Sequence, residues 1–421
     1  MKTHSLHCRF FFVTTYFFLV IGILAQSNLF NESRHAERRA LARQSIQEDI
    51  QAILHDEQTP VGASLEALSE KLRKAYVLFG YDSLPLDMRR SFLKSMVSPD
   101  DQKNLVRIFR KELECDIAEN RVLSVELLSQ RLLDGDSVPI LKDIYDNGWK
   151  LSNDSRLPLT SLERFALATG SASMGKPVDL PLLEEFLLDP AKGFELDSAK
   201  GSDLRLFALL CINAGQLEIR DAALDAALRD SDPTFAFFAF AHPKRNYTSL
   251  AAAAFQQKQI GEGRYGGYGR QDVVLALLIR VNVFISEMAR DEKDIFSQLR
   301  DQIRISVLAI MDGENESLRT NTSGLLRYVC GPGDVEMVRK LLKDPSDKIV
   351  QDAMLTSCSL SIEERKTLHS ELVQMLSPLP EKNPLLFHRV VRCICDDLGL
   401  KVEKKSDMEM YQRVLEAVPT R

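Results

Sequence analysis

The sequence predicts an all-α protein, and more narrowly a right-handed α-α superhelix of stacked antiparallel helix pairs. The 421 residues are 45% hydrophobic and include only one Trp, and no long stretch alternates apolar and polar residues as a half-buried strand does. The stretch KLLKDPSDKIVQDAM, residues 340–354, is echoed at 184–194 and 224–240. Helix–turn–helix units that recur every ~30–50 residues are typical of a stacked helical array and not of a single closed core.

The first 25 residues are typical of an export signal. Lys2 and Arg9 precede an uncharged apolar run from Phe10 to Ala25, which is followed by Gln26 and a polar segment. The run is shorter than the ~20 residues that a membrane-spanning helix needs. We therefore expect residues 1–25 to be a cleaved signal peptide and the protein to be periplasmic or extracellular. An uncleaved N-terminal membrane anchor remains the alternative.

Residues 26–136 are predicted to form an N-terminal helical segment. Ile46, Ile50 and Ile53 recur at helical spacing, so the second half of 27–57 is predicted to be an amphipathic helix. Turn residues and acidic helix starts then predict further helices at 64–79, 86–97, 100–115 and 120–133.

The repeat becomes visible in residues 137–400 and can be aligned on Asp189, Asp230 and Asp344. Apolar residues stand seven, six, three and two positions before each of these aspartates, and these offsets cover one face of a helix. A proline follows each aspartate within three residues and stops one helix or starts the next. Nine residues after the second and third aspartates, Ala239 and Ala353 leave room for two helices to approach closely.

This pattern resembles HEAT repeats, in which a first helix ends near Asp-Pro and a second helix carries small and aliphatic residues. The resemblance covers roughly residues 137–400, and the usual Val-Arg at the start of the second helix appears here as Ile349-Val350-Gln351. It implies a curved α-solenoid that holds partners on one face and carries no catalytic residues. Residues 401–421 are then expected to cap the end of the array with a helix at about 406–417, because terminal repeats need a polar outer face.

Seven cysteines occur, and six of them lie beyond the predicted signal, each in an apolar helical context. Buried free thiols are one interpretation. One or two disulfides, which an exported protein permits, are the other, with Cys330 and Cys358 as the first pair to test. Cys393 and Cys395 stand two apart on a predicted helix and should point to different sides of it.

The most unusual local stretch is GEGRYGGYGR at 261–270, which combines five glycines with tyrosines and arginines. Glycine allows positive φ, while Tyr and Arg are favoured at binding hot spots. A mobile loop that closes on a ligand or peptide is one hypothesis, and a flexible surface excursion between repeats is the other. The candidate binding residues are Arg264, Tyr265, Tyr268 and Arg270.

Other chemistry is not indicated. The formal net charge is −6, and removal of residues 1–25 would make it two units more negative, so a nucleic acid partner is not expected. No motif for catalysis, a metal or a cofactor is visible, and His242 beside Lys244 and Arg245 is better explained by a loop after a helix than by an anion site.

We therefore expect an exported, non-catalytic scaffold for a protein or peptide partner. Two alternatives remain open at this stage. One is an enzyme that uses the 261–270 loop as a lid, and the other is a membrane-anchored organiser that retains residues 10–25.

Overall fold

A computed structural model describes residues 32–55, 65–72, 97–132, 134–151, 153–189, 191–192, 201–242, 247–265, 271–377, 379–400 and 406–418. Helices make up almost all of the regular structure in these ranges, so the predicted all-α class is confirmed. The chain forms two compact units, Met1–Lys244 and Arg245–Arg421. The boundary between them falls inside the repeat array predicted for 137–400.

The first unit contains nine named helices and one minimal strand pair within its described residues. The strands are β1 (Trp149–Lys150) and β2 (Arg156–Leu157), which pair in antiparallel register and were not expected from the sequence. The helices are α1 (Glu32–His55), α2 (Pro99–Glu112), α3 (Ala118–Glu126, continued by a π-helical turn at Leu127–Arg131), α4 (Val138–Asn147, preceded by a 3₁₀ turn at Gly135–Ser137), α5 (Ser161–Ser173), α6 (Leu180–Leu188), α7 (Gly201–Ala214), α8 (Asp221–Leu228) and α9 (Pro233–Ala239).

Helices of the first unit pack against the next helix and the next but one. Thus α7 contacts α5, α6 and α9, while α8 contacts α6 and α9. This layering is compatible with an α-solenoid. The predicted amphipathic face of α1 is confirmed, since Ile46, Ile50 and Ile53 are buried in the core. The predicted helix at 64–79 is seen over residues 65–72, and the one at 86–97 lies outside the described residues apart from residue 97.

The second unit has the same kind of layering. Its helices are α10 (Tyr247–Gly261), α11 (Gln271–Asp291), α12 (Lys293–Asp312), α13 (Glu316–Thr322, followed by a 3₁₀ turn at Ser323–Leu325), α14 (Leu326–Val329), α15 (Val335–Leu341), α16 (Asp347–Ser357), α17 (Ile362–Lys366), α18 (His369–Leu376), α19 (Leu379–Lys382), α20 (Pro384–Asp397) and α21 (Asp407–Ala417). Helix α20 contacts α16, α17, α18, α19 and α21, so it is the central element at this end of the chain.

The three aspartates that anchor the predicted repeat have a common structural role. In each case the carboxylate oxygen Oδ1 accepts a hydrogen bond from the backbone N–H two residues later, over 2.8 Å at Asp189, 2.8 Å at Asp230 and 3.0 Å at Asp344. This local bond shapes the turn that separates one helix from the next. The small residues Ala239 and Ala353 are fully buried, as predicted.

Several of the described helices begin at a residue whose side chain caps the first turn. Ser98 caps α2 with Pro99 in its first turn, and Ser406 forms a capping box that starts the predicted C-terminal helix. Asp334 is an exception. It stands at the start of α15 but makes no side-chain cap; its carboxylate instead accepts from the N–H of Gly331 and pairs with Arg304.

Candidate functional site: an arginine-lined pocket

Helix α20 has two chemically different faces. Leu386, Val390 and Ile394 are buried on one face and hold the helix against its neighbours. The other face presents His388, Arg389, Arg392, Cys393 and Asp396 to a cavity. The helix begins at a cap in which Asn383 accepts from the N–H of Leu386. Just past its end, Gly399 has a φ of +66°, which allows the N–H of Leu400 to reach the carbonyl of Cys395.

The cavity has a volume of about 670 Å³, within the range of ligand-binding pockets in proteins. We call it the arginine pocket. Its lining comes from α14 and α16 with the turn that follows, from α17 and from α20, all in the second unit. The lining residues are Arg327, Tyr328, Leu355, Cys358, Ser359, Arg365, His388, Arg389, Arg392, Cys393 and Asp396.

One of the four arginines holds the pocket together and is not available to a ligand. Arg365 donates through Nε and Nη2 to the carboxylate of Asp397, and through Nη1 to the carbonyl oxygens of Cys358 (3.1 Å) and Leu360 (2.7 Å). The ring nitrogen Nε2 of His369 lies 3.1 Å from the same carboxylate. These bonds tie the turn after α16 and the helices α17 and α18 to the end of α20.

The carboxylate of Asp397 is favoured in its charged form. Burial of this side chain raises its pKa, but the hydrogen bonds from Arg365 and His369 outweigh burial and leave the pKa below its usual range. The pair of Arg365 and Asp397 therefore adds little net charge to the pocket.

The other three arginines carry the charge of the pocket. Arg327, Arg389 and Arg392 are exposed and form no ion pair with any described residue, and Arg327 lies over the ring of Tyr328, 4.8 Å from its centroid. Among the described residues that line the pocket, Asp396 is the only acidic one. The chain as a whole is acidic, so this is a local concentration of positive charge that favours an anionic ligand.

Two cysteines line the same pocket, Cys358 just after α16 and Cys393 on α20. The thiol of Cys358 donates to the carbonyl of Met354 over 3.9 Å. The Cys393 thiol, as a hydrogen-bond donor, lowers the pKa of Cys358; burial opposes the effect, and the positive charge of Arg365 adds to it. The pKa of Cys393 is raised by the same hydrogen bond and by burial. We call Cys358 and Cys393 the thiol pair.

His388 is held by a neighbour outside the pocket. Its Nδ1 lies 2.6 Å from Oδ1 of Asp407, the first residue of α21. Among the described residues, no hydrogen bond joins His388 to Cys358 or Cys393.

The predicted binding loop at 261–270 is only partly described. Arg264 is exposed and pairs with Glu262 at 3.2 Å. Tyr265 is buried, and its hydroxyl donates to Gln256, so its side chain packs into the fold and is not presented to a partner. Tyr268 and Arg270 lie outside the described residues.

The first disulfide candidate is not bonded, whereas Cys395 and His242 are placed as expected. Cys330 and Cys358 are both free thiols; Cys330 is buried, which raises its pKa to about 12, and Cys358 shares the arginine pocket with Cys393 instead. Cys395 is buried on the opposite side of α20 from Cys393, as predicted. His242 is fully buried and bonded to the carbonyl of Leu217, so it offers no anion site.

The arginine pocket was missed by the sequence reasoning although its signal was present. The residues of α20 that line it recur at three- and four-residue intervals in FHRVVRCICDD, a basic face opposite an apolar one. The contribution of Arg327 and Cys358 could not be read from the sequence, because it depends on which helices pack against α20.

Comparisons with known proteins give no further guide: no family model matches the chain, and no curated protein is significantly similar to it.

None of the described helices is both long and apolar enough to cross a membrane, and the apolar run at 10–25 lies outside the described residues. The described residues also contain no group of three or more His, Cys, Asp or Glu side chains that could hold a metal ion.

Proposed function

We propose that this chain is an exported, non-catalytic scaffold of HEAT-like helical repeats, and that the arginine pocket holds an acidic segment of a protein partner. The observation that carries the proposal is the set of three exposed guanidinium groups, on Arg327, Arg389 and Arg392, that have no acidic partner among the described residues. A carboxylate-bearing peptide would supply the missing charges, and a planar guanidinium binds a carboxylate through two parallel hydrogen bonds.

The scaffold part of the proposal rests on the layered helices and on the repeated turn at Asp189, Asp230 and Asp344. Layered helical arrays expose extended surfaces that bind other macromolecules. Arg365 is already paired with Asp397, so it holds the walls of the pocket together and leaves ligand binding to the other three arginines.

The probe for this proposal is a fluorescently labelled, glutamate-rich peptide, titrated with the full chain and followed by fluorescence anisotropy. We expect saturable binding that weakens as salt is added, because exposed ion pairs are screened. The double variant Arg389→Gln/Arg392→Gln should bind about tenfold more weakly, since two exposed ion pairs of about 0.7 kcal/mol each contribute roughly 1.4 kcal/mol.

A charge-matched control separates the pocket from the overall charge of the chain. Lys343 and Arg413 are exposed and do not line the pocket, so Lys343→Gln/Arg413→Gln should bind as the wild type does. Equal loss in both double variants would show that the peptide responds only to net charge, and the pocket would have no special role.

The export part of the proposal has a separate test. It rests on Lys2, Arg9 and the apolar run from Phe10 to Ala25. N-terminal sequencing of the protein recovered from outside the cytoplasm should begin at Gln26. A chain that keeps residues 10–25 and stays with the membrane would instead favour the anchored alternative.

A further inference from the structure

The binding of an acidic partner does not require two cysteines in the wall of the arginine pocket. Cys358 and Cys393 are 35 positions apart in the sequence, yet each thiol shifts the pKa of the other where the end of α16 packs against α20. Both side chains are partly exposed and both line the arginine pocket, so a small molecule that enters the pocket reaches them.

The other described cysteines are placed differently. The exposed fraction is 2% for Cys330, 1% for Cys395 and 4% for Cys211, so these three residues are shielded from solution. Cys115 is partly exposed, and its thiol donates to the carbonyl of Ile117, with no second cysteine beside it. Among the described cysteines, only the thiol pair places two cysteines on the wall of one cavity.

The surroundings of the pair favour an anionic reagent. Arg389 and Arg392 stand on the same face of α20 as Cys393, and Arg365 donates to the backbone carbonyl of Cys358. Positive charge close to a thiol stabilises its thiolate, which is the reactive form. The same charge attracts a negatively charged disulfide to the pocket.

We propose that Cys358 and Cys393 form a redox modification site, at which an anionic low-molecular-weight disulfide oxidises the two thiols to an intramolecular disulfide. The bond would join the turn after α16 to α20 covalently across the wall of the arginine pocket. The disulfide forms whether or not the pocket binds an acidic partner. A result that refutes one of the two proposals therefore leaves the other standing.

The reaction proceeds in two exchange steps. The thiolate of Cys358 attacks one sulfur of the reagent RSSR; a Cys358–S–S–R bond forms, the reagent's S–S bond breaks and RS⁻ leaves. The thiol of Cys393 then loses its proton and attacks the sulfur of Cys358, and a second RS⁻ leaves. The two departing thiolates take up the two protons, so the protein loses two hydrogens and the reagent is reduced to two RSH.

The two cysteines have different roles in this sequence. Cys358 is the attacking residue because its pKa is lowered by the hydrogen bond from Cys393 and by Arg365. Cys393, whose pKa is raised, is the resolving residue. A low-pKa cysteine in an accessible site beside a resolving cysteine is the usual arrangement of a redox-sensitive pair.

The test uses glutathione disulfide as the oxidant and the folded full chain. Reduced protein is oxidised, its remaining thiols are blocked with iodoacetamide, and tryptic peptides are identified by mass spectrometry. We expect a cross-link between peptide 349–365, which contains Cys358, and peptide 393–401. Because the second peptide also contains Cys395, the experiment is repeated in a Cys395→Ala background, where the cross-link should persist.

Two single variants test the order of the steps. Cys393→Ala should retain glutathione on Cys358, since no resolving thiol is present, whereas Cys358→Ala should show little modification of Cys393. Thermal denaturation establishes that each variant is folded, and the wild-type cross-link decides the central question even if one variant is not.

Three results would overturn the proposal. Cys358 and Cys393 could both be alkylated after exposure of the folded protein to the oxidant. Glutathione could remain on Cys358 in the wild type, which would show that Cys393 does not resolve the mixed disulfide. The cross-link could be lost in the Cys395→Ala background, which would assign the bond to the wrong cysteine of the peptide.

Discussion

Replacing Asp397 with asparagine should destabilise the second unit strongly, because it removes one charge of a buried pair and leaves the other. The Asp397 side chain is 1% exposed and that of Arg365 is 15% exposed. In Asp397→Asn the guanidinium of Arg365 would keep its two carbonyl acceptors but would face an amide where a carboxylate had been. The hydrogen bond to His369 would also lose its charged acceptor.

The expected loss of stability follows from the burial and the remaining hydrogen bonds of the pair. Removal of one partner of a buried ion pair costs 3–5 kcal/mol in measured cases. The lower end applies here, since Arg365 retains bonds to the carbonyls of Cys358 and Leu360 and is not wholly buried. We expect a loss of about 3 kcal/mol in the free energy of unfolding, or roughly 10 °C in melting temperature for a unit of this size.

The neighbouring residue provides the control. Asp396 is exposed and forms no ion pair with a described residue, so Asp396→Asn should change the stability by less than about 0.5 kcal/mol. Urea denaturation of both variants and the wild type measures the two differences. Equal stability of Asp397→Asn and Asp396→Asn would refute the role assigned to the Arg365–Asp397 pair.

The pH dependence gives an independent check on the same pair. The pKa of Asp397 is lower in the folded chain than its unfolded value of about 3.9, so its contribution to stability is present above that value and is lost as the pH falls below it. The stability difference between the wild type and Asp397→Asn should therefore shrink below about pH 4. A difference that stays constant from pH 7 to pH 3 would contradict this origin.

Three further substitutions test the fold and the predicted loop. A Cβ at Gly215 would lie 1.9 Å from the carbonyl oxygen of Ala172, whereas one at Gly263 would meet nothing within 4 Å, although its φ is +69°. Gly215→Ala should therefore lower the melting temperature far more than Gly263→Ala, which should cost only about 1 kcal/mol; similar losses would argue against the close approach. Tyr265→Phe should cost about 1 kcal/mol, because it removes the hydrogen bond to Gln256, and should not change peptide binding; weaker binding at unchanged stability would instead support the loop hypothesis.

Much of the helical fold was predictable because local signals and burial agree. Leu183, Phe186 and Leu187 before Asp189 are buried on one helix face, as their spacing predicts. The turn aspartates were recognised from the neighbouring prolines, and their hydrogen bonds explain why aspartate stands at those positions.

The charged residues of the sequence carry a second repeat signal. An arginine stands 25 residues before each anchor aspartate. In two of the three units it reaches that aspartate: Arg205 lies 2.8 Å from Asp230, and Arg319 lies 3.6 Å from Asp344. A search for charged pairs at a fixed offset would have supported the repeat independently of the apolar pattern.

The candidate site was much less predictable than the fold. Glycine, tyrosine and arginine made 261–270 the most unusual segment, yet composition does not determine which side chains face outward, and Tyr265 faces inward. The arginine pocket depends on the packing of α14, α16 and α17 around α20, contacts between residues distant in the sequence. Cys358 was identified as a candidate for pairing, but only tertiary structure places it beside Cys393.

The most direct test of the proposed function is protection of the thiol pair by an acidic ligand. The alkylation rates of Cys358 and Cys393 in the full chain are measured with and without a saturating glutamate-rich peptide, and with a lysine-rich peptide of equal length as the control. If the acidic segment occupies the arginine pocket, the glutamate-rich peptide slows alkylation of both cysteines and the lysine-rich peptide does not. Unchanged rates at a peptide concentration that saturates binding would place the acidic partner elsewhere and contradict the proposed function.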